Sequence, residues 1–383
     1  MINIVHRQNY SGYPIYGYVG IIMLLVGEVL LPTKIEPLWS YFTPWMWWAY
    51  ILALDSWIWK QKGVSLLKSR PKEFIFMSII SIFWWCVFDF YNLFLENWNY
   101  LGAPKNPWIR YPSYALAFAT IFPGLFLTHD ALKILIGEKL LNTDFKWNPG
   151  KKFFKYSILV GSVLMIYPLI FPSIYIFAFV WTGIVFFLEP VNERLGIGCL
   201  LPLFRKGKWG EIPIWFATGA WCGLLWEFWN YWAGAKWIYT VPFTETVRYF
   251  EMPVLGFLGF LPFAWECYLL YEFTKWTLEK GTKRMVYSFA IYFLVVIVLF
   301  SISLGMRDDG NYVVDLKYNK EQLMTDLQSQ SPDVRIETAE KIAETWDEEL
   351  LKELNILLKD PDPEVRMKVN EIYRNYSRKT LLK

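Results

Sequence analysis

Nine runs of mostly apolar residues, each near the roughly 20 residues a helix needs to cross a bilayer, constrain this chain most. They cover about 13–32, 38–59, 73–95, 112–136, 155–171, 173–190, 212–234, 253–278 and 284–304, and Pro172 divides the short fifth and sixth. Lipid offers no hydrogen bonds to exposed backbone, so runs of this length predict helices. Composition agrees: of 383 residues, 55% are hydrophobic, 20% aromatic and 22 are Trp. Only 19% are charged, against about 25% in soluble domains. A net charge of +3 is too small to suggest a nucleic-acid partner. Cys86, Cys199, Cys222 and Cys267 lie in or beside apolar segments without CxxC spacing and read as small buried hydrophobes. His6 and His129 are too few for a His-rich metal centre. No basic start with a small-residue cleavage site precedes the first apolar run, so no cleavable signal peptide is expected.

The polar residues inside these runs recur in order. Phe88-Asp-Phe-Tyr-Asn92, Trp98-Asn-Tyr100 and Ala117-Phe-Ala-Thr-Ile-Phe-Pro123 precede Leu225-Trp-Glu-Phe-Trp-Asn-Tyr-Trp232, Lys236-Trp-Ile-Tyr239 and Gly256-Phe-Leu-Gly-Phe-Leu-Pro-Phe-Ala-Trp-Glu266. Asp89 aligns with Glu227, Asn92 with Asn230, Tyr100 with Tyr239 and Pro123 with Pro262. Further upstream, Leu54-Asp55 matches Leu188-Glu189, at 34 and 38 residues before those acids. The expected fold is therefore all-α: a polytopic transmembrane bundle of about eight or nine helices, built from two four-helix repeats at 13–137 and 155–278. An even helix number per unit makes the repeats parallel. A ninth apolar segment follows at 284–304, then a polar tail at 307–383.

Basic residues concentrate in the loops after the second, fourth, sixth and eighth segments, for example Lys60, Lys62, Lys68, Arg70 and Lys72. This excess predicts a multi-pass cell-membrane protein with those loops and the N-terminus cytoplasmic. The side of the tail depends on whether segment 284–304 crosses. Within the tail, Ser331-Pro-Asp-Val-Arg is echoed 31 residues later by Asp362-Pro-Glu-Val-Arg. A capping residue followed by Pro opens a helix in each copy, which resembles HEAT-like repeats. Such a tail is either a small helical cap or a module that recruits a protein partner.

Glu227, with Asn230 beside it, and Glu266 stand in aromatic surroundings, among Trp226, Phe228, Trp229, Trp232 and Trp265. Ionisable groups there are costly and mark a functional site by default. A carboxylic acid kept neutral by such burial can protonate an alkene, and aromatic faces stabilise the resulting cation by roughly 2 kcal/mol per desolvated contact. Glu227 and Glu266 are the expected proton donor and base, with Asp89 and Asn230 in support, and their depths allow one shared cavity. The other reading makes Asp89 and Glu227 structural glue between repeats. Glu189, Asn192 and Glu193 could hold a divalent cation or form a helix end capped by Arg194. Asp55 reads as an interfacial carboxylate near Lys60, Trp237 and Tyr239 as belt residues, and Glu28 and Asp130 lack an evident partner. No dinucleotide loop, P-loop or His-based metal set is present in the sequence, so no cofactor is implied.

Trp226, Glu227, Asn230, Tyr231, Trp237, Tyr239, Gly256, Gly259, Pro262 and Glu266 together resemble the integral-membrane lycopene cyclase domain family and its carotenoid hydratase relatives. That family carries a Trp-Asp/Glu-x-x-Asn-Tyr-like motif, a Trp-x-Tyr loop, then Gly-x-x-x-Gly-x-Leu/Val-Pro, on tandem helical units. The resemblance spans roughly 15–275. The family's paired glutamates after the proline are replaced here by Ala264 and Trp265, with the acid at Glu266 and Leu127 at the equivalent first-repeat position. It implies an isoprenoid or carotenoid-type cyclase, hydratase or isomerase without cofactor. Trp226, Trp229, Tyr231, Trp237, Tyr239, Trp265 and Asn92 would contact a lipid-soluble substrate. A non-catalytic lipid-binding or transport protein, with a partner on its tail, is the competing expectation.

Overall fold

The computed structural model describes residues 12–103, 106–136, 143–240, 248–307, 320–345 and 348–380. The chain is mostly helical. Its apolar part runs α1 (Ile15–Leu30), α2 (Phe42–Lys62), α3 (Pro71–Leu95), α4 (Pro107–Phe118), α5 (Ile121–Ile136), α6 (Lys151–Ile170), α7 (Phe177–Leu195), α8 (Glu211–Trp232), α9 (Phe257–Lys280) and α10 (Lys283–Arg307). Among the described residues, five stretches are long and apolar enough to cross a membrane: Ile15–Thr33, Pro71–Leu95, Trp108–Ile136, Lys151–Ile170 and Val254–Lys280. Helices α2, α7, α8 and α10 fall outside that set. Trp and Tyr weigh little on a hydropathy index, and α2 and α7 each end in charged residues such as Lys60, Lys62, Glu193 and Arg194.

The fourth apolar segment is two helices rather than one. The helical run breaks at Ala119 and Thr120, with the Thr120 side chain bonded to Ala117 O at 2.6 Å. The expected all-α fold also gains two short ribbons. Strands β1 (Trp98–Leu101) and β2 (Lys236–Tyr239) pair antiparallel, as do β3 (Arg248–Tyr249) and β4 (Met252–Pro253). Strands this short hold too few residues for an alternating pattern to stand out in the sequence.

Helices α2, α3, α5, α8 and α9 form the packed centre, where Phe42, Trp47, Phe83, Phe88, Phe122 and Tyr271 are fully buried. Helices α1 and α6 lie outside it, packed chiefly against α2 and α7 respectively. Glycines allow that approach: a Cβ at Gly20 would lie 2.6 Å from Ala53 N, and one at Gly161 would lie 2.5 Å from Phe187 N. Helix α10 packs on α3, with Phe83 facing Phe289 and Phe293 at 4.8 and 5.1 Å.

The tail is a separate apolar cluster made by α11 (Lys320–Asp326), α12 (Pro332–Thr345), α13 (Glu348–Glu353), a 3-10 stretch (Leu354–Lys359) and α14 (Pro363–Thr380). Lys34, in the loop after α1, comes within 3.8 Å of Glu371 in α14. The joining stretch 308–319 lies outside the described residues.

Candidate functional site

The site is built where α3 and α8 end. Each helix carries its acid, Asp89 or Glu227, less than two turns before its last residue, and an asparagine in the final turn. Asn92 Nδ2 donates to Trp98 O at 2.7 Å, and its Oδ1 accepts from Asn97 N and Trp98 N at 2.7 and 3.2 Å. Asn230 Nδ2 donates to Trp237 O at 2.8 Å, and its Oδ1 accepts from Trp237 N at 2.9 Å. Each asparagine thus fixes both backbone groups of a tryptophan at the start of a strand.

Those strands pair with Trp98 opposite Tyr239, Asn99 opposite Ile238 and Tyr100 opposite Trp237. Because side chains alternate along a strand, Trp98, Tyr100, Trp237 and Tyr239 share the face turned to the acids. Tyr100 OH donates to Asp89 Oδ1 at 3.0 Å and accepts from Trp85 Nε1 at 2.9 Å. Trp98 Nε1 also donates to Asp89 Oδ1, at 2.8 Å. Tyr239 OH donates to Glu227 Oε1 at 2.7 Å and accepts from Trp237 Nε1 at 2.9 Å. Burial, and then the carboxyl beside each, pushes both phenols well above their ordinary range. Both hydroxyls therefore carry their protons at neutral pH.

This aromatic face forms one wall of a cavity of about 530 Å³. Trp47, Trp85, Trp181, Trp226, Phe260 and Phe263 contribute the others. Trp226 tilts against Trp47 at 4.9 Å and packs on Phe263 at 5.9 Å. Volumes of roughly 300–1,000 Å³ with apolar walls and a few aimed polar groups are usual for small-molecule sites. Glu227 and Asp89 are not themselves among the lining residues; their tyrosines are. The two acids therefore meet the cavity through a phenol, a role that Trp-x-Tyr at 98–100 and 237–239 could have signalled in the sequence. Nothing in the sequence distinguished Trp85 and Trp181 from the other tryptophans.

The remaining sequence candidates disperse. Glu266 is fully buried, and neither of its oxygens has a hydrogen-bond partner. It lies one turn further along the same face of α9 as Pro262 and Phe263, which line the cavity, and is not itself a lining residue. Trp229 turns away, donating to Glu28 Oε1 at 3.1 Å, which supplies the partner that Glu28 lacked in the sequence. Tyr231 is exposed on the outer face beside Phe250, at 5.8 Å. Trp265 donates to Glu189 Oε2 at 3.0 Å.

Glu189 has a structural occupation, since its Oε1 accepts from Leu200 N and Leu201 N at 2.5 and 2.6 Å at the start of the short helix Leu201–Phe204. Asn192 donates to Gly198 O and Leu269 O at 3.1 and 3.0 Å, and Glu193 pairs with Arg205. A cation at this set would have to displace those bonds. Asp55 is fully buried within the protein. It accepts from Leu67 N, Ser65 Oγ and Tyr16 OH at 2.8, 2.8 and 2.7 Å, the same capping work as Glu189.

A second, charged cavity of about 1,060 Å³ lies at the opposite end of the bundle, where Asp130 lines it. Glu211 there holds His129 Nε2 and Lys133 Nζ at 3.2 and 2.6 Å, while Glu73 holds Tyr271 OH and Lys275 Nζ at 3.0 and 3.1 Å. No family model, curated protein or solved structure matches this chain.

Proposed function

We propose that this protein is a membrane enzyme that rearranges a long apolar isoprenoid by proton transfer, as a cyclase, hydratase or isomerase. One observation carries the reading: two buried tyrosine hydroxyls face one aromatic cavity, and each is backed by a carboxyl group. With Glu227 protonated, Tyr239 passes its proton to an alkene carbon while taking the glutamic proton. One C–H bond forms and the neighbouring carbon becomes cationic, facing Trp and Phe rings that stabilise it. The reaction ends without any redox step when a proton passes through Tyr100 to Asp89, taken either from a carbon next to the cation or from a water that the cation has captured. Glu266, with both oxygens unengaged, is the reserve acid one helical turn beyond the cavity lining.

In this reading the chain is a tandem duplication. The matched bonds of Asn92 and Asn230, of Tyr100 and Tyr239, and of Asp55 and Glu189 support it. So does the ribbon, since its register maps onto itself when Trp98 and Tyr100 exchange with Trp237 and Tyr239. Eight helical crossings place the basic loops in the cytoplasm and the ribbon outside. A crossing ninth segment would put the tail at the ribbon end, as the approach of Lys34 to Glu371 favours. Within the tail, Arg335 Nη1 donates to Ser329 O, and Arg366 Nη1 donates to Asp360 O 31 residues on, which supports a HEAT-like pair of units.

The test is mass spectrometry of lipids from an isoprenoid-producing host carrying wild type or Glu227→Gln. A new isoprenoid with wild type that vanishes with the folded variant is the expected result. Identical profiles would move the weight to a lipid-binding or transport role, which the full engagement of both tyrosine hydroxyl protons in structural bonds favours.

A further inference from the structure

We infer that the aromatic cavity is loaded sideways from the hydrocarbon phase, through a slot between the N-terminal ends of α7 and α9, by one end of a linear apolar chain. This rests on the isoprenoid reading of the same cavity and adds how the substrate reaches it.

The lining residues divide sharply by exposure. Tyr175 and Ala178 on one side, and Leu255 and Leu258 on the other, line the cavity and also face outward. Tyr175, Leu255 and Leu258 are 65, 68 and 61% exposed. Here the wall is one side chain thick and carries no charge. Around the ribbon no described lining residue is exposed: Ser40, Asn97, Trp98 and Leu101 are buried, and the others, such as Lys236 and Tyr239, are half-buried. The one charged lining residue among those described, Lys236, is engaged by Glu251 at 2.7 Å. Water-borne polar ligands therefore meet a narrower rim whose one described charge is paired, and a membrane-dissolved chain meets an apolar slot.

Residue size sets the extent of the slot. Ala178 presents a single methyl at the outer end. One turn deeper the ring of Trp181 packs against Gly259, where a Cβ would run into it, and closes the slot's inner limit. One jamb is fixed, because Asn97 Nδ2 donates to Ile174 O at 2.9 Å. On the α4 flank no described lining residue is exposed: Ser113, Tyr114 and Ala117 are half-buried and Phe118 is buried, with Tyr114 stacked on Phe118 at 5.6 Å. Size then limits what fits inside. Allowing about 30 Å³ per carbon, close to the share of a water molecule in the liquid, the cavity of about 530 Å³ holds roughly 15–20 carbons. A longer chain keeps its remainder in the slot and the bilayer, so the cavity selects the end of the molecule.

The probe is a diazirine analogue of geranylgeraniol, photolysed with the full-length protein in lipid nanodiscs, with labelled peptides read by mass spectrometry. Wild type should label interior residues around Trp47 and Trp226. Ala178→Trp and Leu258→Trp, both at outward-facing positions and checked for unchanged melting, should cut interior labelling by about tenfold or more. Leu116→Trp, exposed on the α4 flank, should leave it unchanged. Interior labelling of both slot variants at the wild-type level, equal loss in Leu116→Trp, or no interior labelling of wild type would each overturn the inference. Interior labelling that persists in Tyr239→Phe while conversion stops would support the slot independently of the chemistry. Slot-dependent labelling without any conversion in wild type would fault the enzyme reading and leave the route intact.

Discussion

Asn230 shows how a residue can make the site without touching a ligand. Its amide satisfies both the N–H and the C=O of Trp237, and through them it sets where Tyr239 meets Glu227. Asn230→Ala leaves two backbone groups without that partner, at about 1–3 kcal/mol each if they stay dry. A lower melting temperature should accompany lost conversion. Asn230→Asp keeps the acceptor for Trp237 N and should fall between wild type and alanine; equal stability of all three would contradict the bonding described. This layer was largely legible in the sequence, because Asp89, Asn92, Glu227 and Asn230 are polar residues in apolar runs at repeated spacing. The phenols were harder to read as the cavity-facing groups, since Tyr100 and Tyr239 are two of 24 tyrosines. Tertiary bonds alone assign their role.

At the scale of elements, close helix approach depends on glycine. Gly20→Leu and Gly161→Leu would drive side chains into the backbones of α2 and α7. Each should cost about 1–3 kcal/mol or more by overpacking, whereas Gly150→Ala, with open space around it, should stay within about 0.5 kcal/mol. Melting of the three purified variants distinguishes these outcomes. In the tail, Arg335 grips Asp360 through Nε and Nη2 at 2.7 and 2.8 Å. The Arg335 guanidinium holds the Asp360 carboxyl below the usual carboxylate range. Its stabilising contribution is therefore present above the unfolded value of about 4 and is lost as pH falls below it through the lower folded value. Limited proteolysis of residues 320–380 in the intact protein should show sharper acid sensitivity in wild type than in Asp360→Asn, which should already be cleaved faster at neutral pH. The apolar segments predicted these helices well. The break at Ala119 and Thr120 and the four-residue strands were not visible, because local breaks and short strands leave no periodic signal.

For the whole molecule, the two cavities lie at opposite ends of the bundle, one apolar and one charged. In a membrane with the basic loops cytoplasmic, the charged cavity opens to the cytoplasm and the apolar one lies near the outer leaflet. Cysteine placed at exposed Lys206 should react with an impermeant maleimide only from the cytoplasmic side, and cysteine at exposed Trp108 only from outside. Labelling of both from one side would contradict the parallel arrangement. In the sequence this arrangement is an expectation, drawn from the repeated order of acids, asparagines and prolines and from the basic loops, and the labelling tests it. The slot was not readable, because it depends on which cavity residues also face outward.

The central claim is that a solvent-derived proton reaches carbon through the Tyr239–Glu227 pair. It is tested most directly by supplying the intact protein in nanodiscs with an isoprenoid substrate in D2O and measuring deuterium in the recovered lipid. Carbon-bound deuterium with wild type, absent in Tyr239→Phe and Glu227→Gln variants that still bind the chain, is the predicted result. Conversion without carbon-bound deuterium, or deuterium undiminished in both variants, would contradict it.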